Sequence, residues 1–432
     1  MKRLVALGLM VLFGSTVAAG DWPQWRGPKR DGVSTETGLL KEWPKDGPKL
    51  VWKYPDAGLG FSAVAIRDGL LYTLGSRQDD EVVLVLDAAT GKELWTAKIG
   101  PIYTFQGNVW GDGPRSTPTL DGDRLFALGA QGDLVAIDLT KKAEIWRKNL
   151  IKDFGGVMMT EWGYSESPLV VGDMVLVTPG GKKGLVVALD KKTGALLWQS
   201  SEVTHKAPYS SIMPATIHGV PQLIQLSFQE PAGGFVDSFD AKTGKLLWQA
   251  PIFKGSNYAI CPTPIVKDNL VYVTAGYGGG CHTFEIDDKF KVKDLFSKAA
   301  QKKVKNTHGG VVLVDGKIYG HSERNGWVCQ DLKTGAMDWE DNVTFETKSG
   351  SILAADGMLY LYGEEGNVAL AKATPEGPTL SVVSEFKLPE LSKYPKMRDT
   401  SRQSKAWSHP VIANGKLIIR DCEFIYCYDV KK

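Results

Sequence analysis

The sequence predicts an all-β fold, an eight-bladed β-propeller of four-stranded blades closed by an N-terminal strand. Three observations predict it: a turn motif that recurs along the chain, a near-constant spacing between its copies, and eight short apolar hairpins that count the same units. Composition agrees. Gly (48), Pro (22) and Trp (13) are plentiful, as a chain of many tight turns and large packed aromatics requires. Hydrophobic content of 43% with 23% charged residues excludes wholesale disorder. Lys+Arg (51) nearly balance Asp+Glu (49), so the basic excess of a nucleic-acid binder is missing.

The first element is an address. Met1-Lys2-Arg3 is a short basic segment, Leu4 to Phe13 an apolar run, and Val17-Ala18-Ala19 a small-residue cleavage site. Residues 1–19 therefore read as a secretory signal peptide, too short in its apolar part to span a bilayer. The expected location is periplasmic or secreted, without a transmembrane segment. Residues 20–49 form an N-terminal extension and residues 50–432 the propeller.

The motif comes next. Asp87-Ala-Ala-Thr90-Gly91-Lys-Glu-Leu-Trp95 returns with Asp190, Thr193, Gly194 and Trp198, with Asp240, Thr243, Gly244 and Trp248, and with Asp331, Thr334, Gly335 and Trp339. Asp138 to Trp146 keeps the ends and loses the Thr-Gly. Gly supplies the positive φ of a tight turn, and Asp and Thr bond its backbone. The Trp falls on the following strand, where it can fill the gap to a neighbouring sheet. Trp52, Trp95, Trp146, Trp198, Trp248 and Trp339 are thus expected to be structural.

Spacing gives the blade count. The Asp positions step by 51 (138−87), 52 (190−138) and 50 (240−190), then by 47 to a worn copy at Asp287 and 44 to Asp331. The final copy ends at Asp429, and the gap of 98 (429−331) leaves room for one hidden unit around Gly366–Thr374. Eight hairpins, such as Ala63–Tyr72, Pro118–Phe126 and Pro264–Tyr272, give the same total. The last copy lacks its Trp strand, whereas Leu50-Val51-Trp52-Lys53 has a Trp with no motif before it. That segment is expected to close the ring as the outer strand of the last blade.

The Asp-x-x-Thr-Gly-x-x-x-Trp turns, with Ala136 and Ala188 two residues before the Asp, resemble the PQQ-like repeat family, which includes quinoprotein alcohol dehydrogenases and the barrel-assembly lipoprotein BamB. The resemblance spans roughly residues 50 to 432 and implies the propeller fold. The opening Trp22-Pro-Gln-Trp25-Arg26-Gly27-Pro-Lys-Arg30-Asp31-Gly32 looks like the leader of exported bacterial propellers of this group. The resemblance also raises PQQ with calcium as a cofactor, and an oxidoreductase acting on alcohols or sugars. Here the chain departs from the pattern: no two of its five Cys are adjacent, and the dehydrogenases' calcium set and catalytic Asp find no counterpart. The lipidated Cys of the barrel-assembly protein is missing too. The leading expectation is a monomeric binding or scaffolding module that takes a small anionic molecule or a protein or peptide partner.

Strand order places the Thr-Gly turns on one face and the starts of the innermost strands on the other. The second, motif-free face is the expected site, because divergent loops on a rigid scaffold carry function. Its channel mouth should gather Arg115, Tyr164, Tyr209, Tyr258, His308, Lys348, Trp407 and His409, aromatics and cations suited to a flat or anionic ligand. A long aromatic loop, 102–113, and a basic insert, 376–405, are expected on the surface as a lid or partner site. The six His lack metal-ligand spacing, and no metal site is expected. Cys329 and Cys427 replace the small residue of the motif and read as buried filler, Cys422 is left over, and the register allows a Cys261–Cys281 disulfide.

Overall fold

The computed structural model describes residues 20–104, 108, 111–255, 259–394 and 407–432. The signal peptide expected at 1–19, Tyr258, and Lys396, Arg398 and Arg402 of the basic insert lie outside the described residues. Eight antiparallel sheets follow one another around an axis. Blade 1 runs Ala65–Arg67, Leu70–Arg77, Asp80–Asp87 and Glu93–Pro101, from the axis outward. The innermost strands of blades 2 to 8 are Thr119–Asp121, Leu169–Val171, Met213–Ile217, Ile265–Lys267, Val311–Val314, Gly350–Ala355 and Val411–Ala413. Among the described residues no helix is long and apolar enough to cross a membrane.

The ring closes as the sequence predicts. Strand β1 (Val33–Ser34) lies parallel to the inner strand of blade 7, and strand β2 (Lys49–Tyr54) is the outer strand of blade 8. In β2, Lys49 pairs with Asp429 and Trp52 with Cys427, so both chain ends share one sheet.

At the rim each motif works in the same way. Asp190 Oδ1 accepts from the amide of Thr193 (2.8 Å) and from its hydroxyl (2.8 Å), and Asp87, Asp240 and Asp331 repeat this with Thr90, Thr243 and Thr334. In three copies the motif Trp lies on the turn glycine of the next blade. A Cβ on Gly91 would meet the Trp52 ring at 2.6 Å, and one on Gly194 the Trp146 ring at 2.7 Å. Trp52 and Trp146 also donate Nε1–H to carbonyls of that turn, Ala88 (3.0 Å) and Lys191 (3.2 Å). Each Trp therefore staples two blades together.

Trp52, Trp146, Trp248 and Trp339 are buried, but Trp95 and Trp198 are only half-buried. The turn after Trp95, in the next blade, is the worn one, where Lys142, at φ 54°, stands where the other copies have glycine. Trp198 covers Gly244 with the edge of its six-membered ring, and its Nε1–H finds no partner.

All five cysteines are free, so the allowed Cys261–Cys281 bridge does not form. Cys281 is instead buried on the third strand of blade 5, with its thiol on the carbonyl of Ala300. Cys329 and Cys427 are fully buried in the small-residue position, as expected.

Candidate functional site

The leader shapes the axial channel. Trp22 pairs with Ile66 near the inner hairpin of blade 1, on the motif face, and the chain then climbs the axis. Arg26 reaches blade 6, where its Nη2 donates to the Val311 carbonyl. Arg30 reaches blade 3, donating to the carbonyls of Ser167 (2.9 Å) and Pro168 (3.2 Å). Both residues hold left-handed backbone (φ 57°), a strained geometry that persists only when its surroundings fix it. From Gly32 the chain descends beside blade 7 through β1, and Glu36 accepts from the amides of Asn414 and Gly415 back at the motif face. The leader thus enters the channel from the motif face, and its turn lies toward the motif-free end of the axis, the cup.

Register builds the cup wall. Positions are counted back from the last residue of each inner strand, whose alternate side chains pack against the preceding and the following blade, as Val266 and Ile265 do in blade 5. Four residues back, Thr263 and His409 touch the floor: Trp25 donates Nε1–H to Thr263 Oγ1 (2.9 Å) and its ring meets the His409 ring edge-on at 4.5 Å. Six residues back stand Phe61, Arg115, Ser165, Ser211, Cys261, His308, Ser349 and Trp407, one from each blade. Ser349 is small, and across it His308 stacks on Trp407 at 4.3 Å and 16°. Phe61 packs on Trp407 from blade 1 (4.9 Å), and Glu364 fixes the indole by accepting its Nε1–H (3.0 Å). His409 supports the stack from beneath, with Nε2 3.1 Å from the His308 carbonyl.

Arg115 stands on the far side of the Phe61 wall. Its guanidinium donates to the carbonyls of Gly113 (2.7 Å) and Gly111 (2.9 Å) and lies 4.9 Å from the centre of the Tyr103 ring. No carboxylate pairs with it among the described residues, and burial lowers its pKa. Tyr209, in electrostatic reach of Arg115, is tied by its hydroxyl to Thr160. Glu81 lies below, accepting from the amides of Tyr103 (3.2 Å) and Ala130 (2.9 Å); burial pushes its pKa up to about 7.

Of the sequence-predicted residues, Arg115, His308 and Trp407 hold equivalent positions before their inner strands, His409 lies beneath the stack, and Tyr209 is tied to Thr160 in electrostatic reach of Arg115. Tyr164 and Lys348 both stand seven residues back. Tyr164 is 2% exposed, inside the core between blades, with its hydroxyl on the Pro179 carbonyl (3.0 Å). Lys348 is exposed. Phe61 and the leader's Trp25 went unpredicted, although the same count backward from each hairpin locates Phe61. Four other His serve the scaffold: His205 on Ser227, His218 on the Ile286 carbonyl, His282 on Asp294 and His321 on the Thr347 carbonyl. Among the described residues no group of three His, Cys, Asp or Glu could hold a metal ion. The site therefore joins aromatic rings and cations at one end of the axis.

These features define a class, the eight-bladed propeller of PQQ-like repeats with a leader-plugged channel. The chain belongs to the family described as outer membrane protein assembly factor BamB, whose model matches residues 78–341. It is 27% identical over 198 residues to the 1-butanol dehydrogenase (cytochrome c) of Thauera butanivorans. That match takes in 44% of this chain but only 27% of the enzyme, so the chain spans about a quarter of that relative. The fold is similar to quinohemoprotein alcohol dehydrogenase from Comamonas testosteroni (TM-score 0.66, 14% identity, 95% of this chain and 81% of that one). It is also similar to BamB from Moraxella catarrhalis (TM-score 0.59, 15% identity, 88% and 99%). At such identities the likenesses show the fold.

Proposed function

We propose that the protein is an exported binding module, periplasmic or secreted, that engages a small anionic molecule or a peptide through the cup on its motif-free face. One observation carries this reading: the wall of the cup gathers Phe61, His308, Trp407 and Arg115 from four different blades over a floor made by the leader. Aromatic faces beside a cation without a carboxylate partner suit a flat anion, through stacking and charge-assisted bonds. The opposite end of the channel is filled by the leader, so ligands enter from the motif-free face.

A quinone-dependent oxidoreductase acting on alcohols or sugars is the second reading, favoured by the match to the butanol dehydrogenase. PQQ is itself a planar carboxylate, and Arg115 with the Trp407–His308 stack would hold it. Calcium fits less well, because the described residues provide no ligand cluster.

The test mixes the mature protein with PQQ, with and without calcium, and follows quinone absorbance and dye reduction with 1-butanol or glucose. The proposal expects retention of PQQ, weakened in Trp407→Ala, with no dye reduction. Alcohol-dependent dye reduction would move the assignment to the second reading. A wild-type protein that binds neither PQQ nor any other planar anion would remove the cup as a ligand site.

A further inference from the structure

The leader does more than floor the cup. Its turn crosses the channel between two anchors, Arg26 on blade 6 and Arg30 on blade 3, so the residues between them lie over the axis. Inside that turn Pro28 and Lys29 are exposed, whereas Arg26, Gly27 and Arg30 are buried. The tip of the leader therefore emerges into the cup rather than into the packed channel. Lys29 is the residue it presents, and Lys29 has no ion-pair partner within 4.0 Å among the described residues.

The charges around it reinforce one another. Arg26 and Arg30 are 3% and 0% exposed, and neither has a carboxylate within salt-bridge distance; carbonyls and Gln24 take their bonds instead. Arg115 adds a fourth cation in the wall. Asp31 is in electrostatic reach of Arg26 and of Lys29, and Glu166 of Arg30, but burial raises both carboxyls from their ordinary values. On the motif-free face Glu364 accepts from Trp407, and Glu323 accepts from the amides of Tyr277 and Gly278. A concave site with low-dielectric walls focuses such a field toward its centre.

We infer that Lys29, carried by the leader and not by any blade, is a ligand-binding residue of the cup, and that it receives a carboxylate or sulfonate-like anionic group of the bound molecule. This rests on the cup being the ligand site, as proposed above. The leader then has two jobs: its arginines fasten it across the axis, and its lysine sets the charge preference of the site.

Pyrenetetrasulfonate, a planar fluorescent polyanion, is the probe, titrated into the full mature chain at fixed ionic strength. Lys29→Met should weaken it about tenfold, the effect of one ion contact of ordinary strength. Lys29→Arg should restore most of the affinity, and bound probe should protect Lys29 from amine acylation read by peptide mapping. Because Lys29 is exposed, both variants should melt with the wild type, which separates lost contact from lost fold. If Trp407→Ala weakens the probe but Lys29→Met does not, the cup stands as a site and the role of Lys29 is refuted. If wild type does not bind the probe at all, both readings fall.

Discussion

The rim and the axis of this propeller were built from one repeat, yet they follow different rules. At the rim, blades 1, 3, 4 and 6 carry the same Asp, Thr and Gly, bonded with nearly the same distances. At the inner ring the equivalent position holds Phe61, Arg115, Ser165, Ser211, Cys261, His308, Ser349 and Trp407. These four blades present the same turn to their neighbours, so the rim repeats one solution there. The inner-ring position belongs to no such repeated turn, so nothing requires one copy to match the next. The difference separates scaffold from site: where the copies agree the residue holds blades together, and where they diverge it is free to define a ligand.

The comparison can be broken most decisively at the rim. Trp248 is 4% exposed and bonds Gln222 Oε1 through Nε1 (3.0 Å). Trp248→Ala should cost about 3–5 kcal/mol, because the vacated seat between rigid sheets cannot collapse. Chemical denaturation would read this, and probe binding in the cup should persist while the protein stays folded. A variant with unchanged stability and lost binding would place function at the rim and reverse the assignment.

Two glycines in blade 1 isolate the stapling contact. Gly91 and Gly69 both have left-handed backbone (φ 71° and 74°), so Ala strains each similarly, by roughly 1–2 kcal/mol. A Cβ at Gly69 meets nothing within 4 Å, whereas one at Gly91 would lie 2.6 Å from the Trp52 ring. Gly91→Ala should therefore be the worse of the pair by a further 1–3 kcal/mol or so, the usual cost of overpacking. Equal losses would mean that Trp52 yields freely and does not staple blade 8 to blade 1.

The two regions should also titrate in opposite directions. Hydrogen bonds from Thr90 and Thr193 hold Asp87 and Asp190 below the ordinary value of 3.8. Their contribution is present above that value and lost as pH falls through the lowered one. Beside the inner ring, burial raises Glu166 to about 7 from 4.5. The folded state then binds the extra proton between those values, so stability declines as pH rises from about 4.5 to 7. Glu166→Gln should make that decline shallower, leaving the share of Glu81, which burial also raises to about 7; the amide oxygen can still accept from the Thr178 amide, and the Thr178 hydroxyl can turn to accept from the new NH2. An unchanged slope near neutrality would assign it to another group.

This contrast also explains what could be read in advance. The rim was legible because turn chemistry is local: Asp, Thr, Gly and Trp at fixed offsets need no knowledge of the partner blade, and closure by Trp52 followed from one missing strand. Burial misled at Trp95 and Trp198, both only half-buried, the first before a turn in which Lys142 replaces glycine and the second although Gly244 is kept. The axis was half legible. Arg115, His308 and Trp407 hold equivalent positions counted from the inner hairpins, whereas Tyr164 lies one residue earlier in its blade and inside the inter-blade core. Trp25 and Lys29 could not be placed by any repeat, because the leader has no repeat and its course depends on bonds to blades 3, 5 and 6.

The smallest expected effect contrasts two neighbouring residues. Lys348 is exposed, and Ser349 lies between His308 and Trp407. Lys348→Ala removes a solvated charge, so stability should stay within about 0.5 kcal/mol. Pyrenetetrasulfonate affinity should stay nearly as constant, because a fully solvated charge is screened by salt. Ser349→Leu adds bulk where the two rings close over a small residue, and it also removes the hydroxyl that meets Thr307 Oγ1 (3.3 Å). The stack must part, and probe affinity should change although the sheet beneath is intact. If the roles were exchanged, with Lys348→Ala weakening the probe and Ser349→Leu silent, the stack over Ser349 would not line the ligand site.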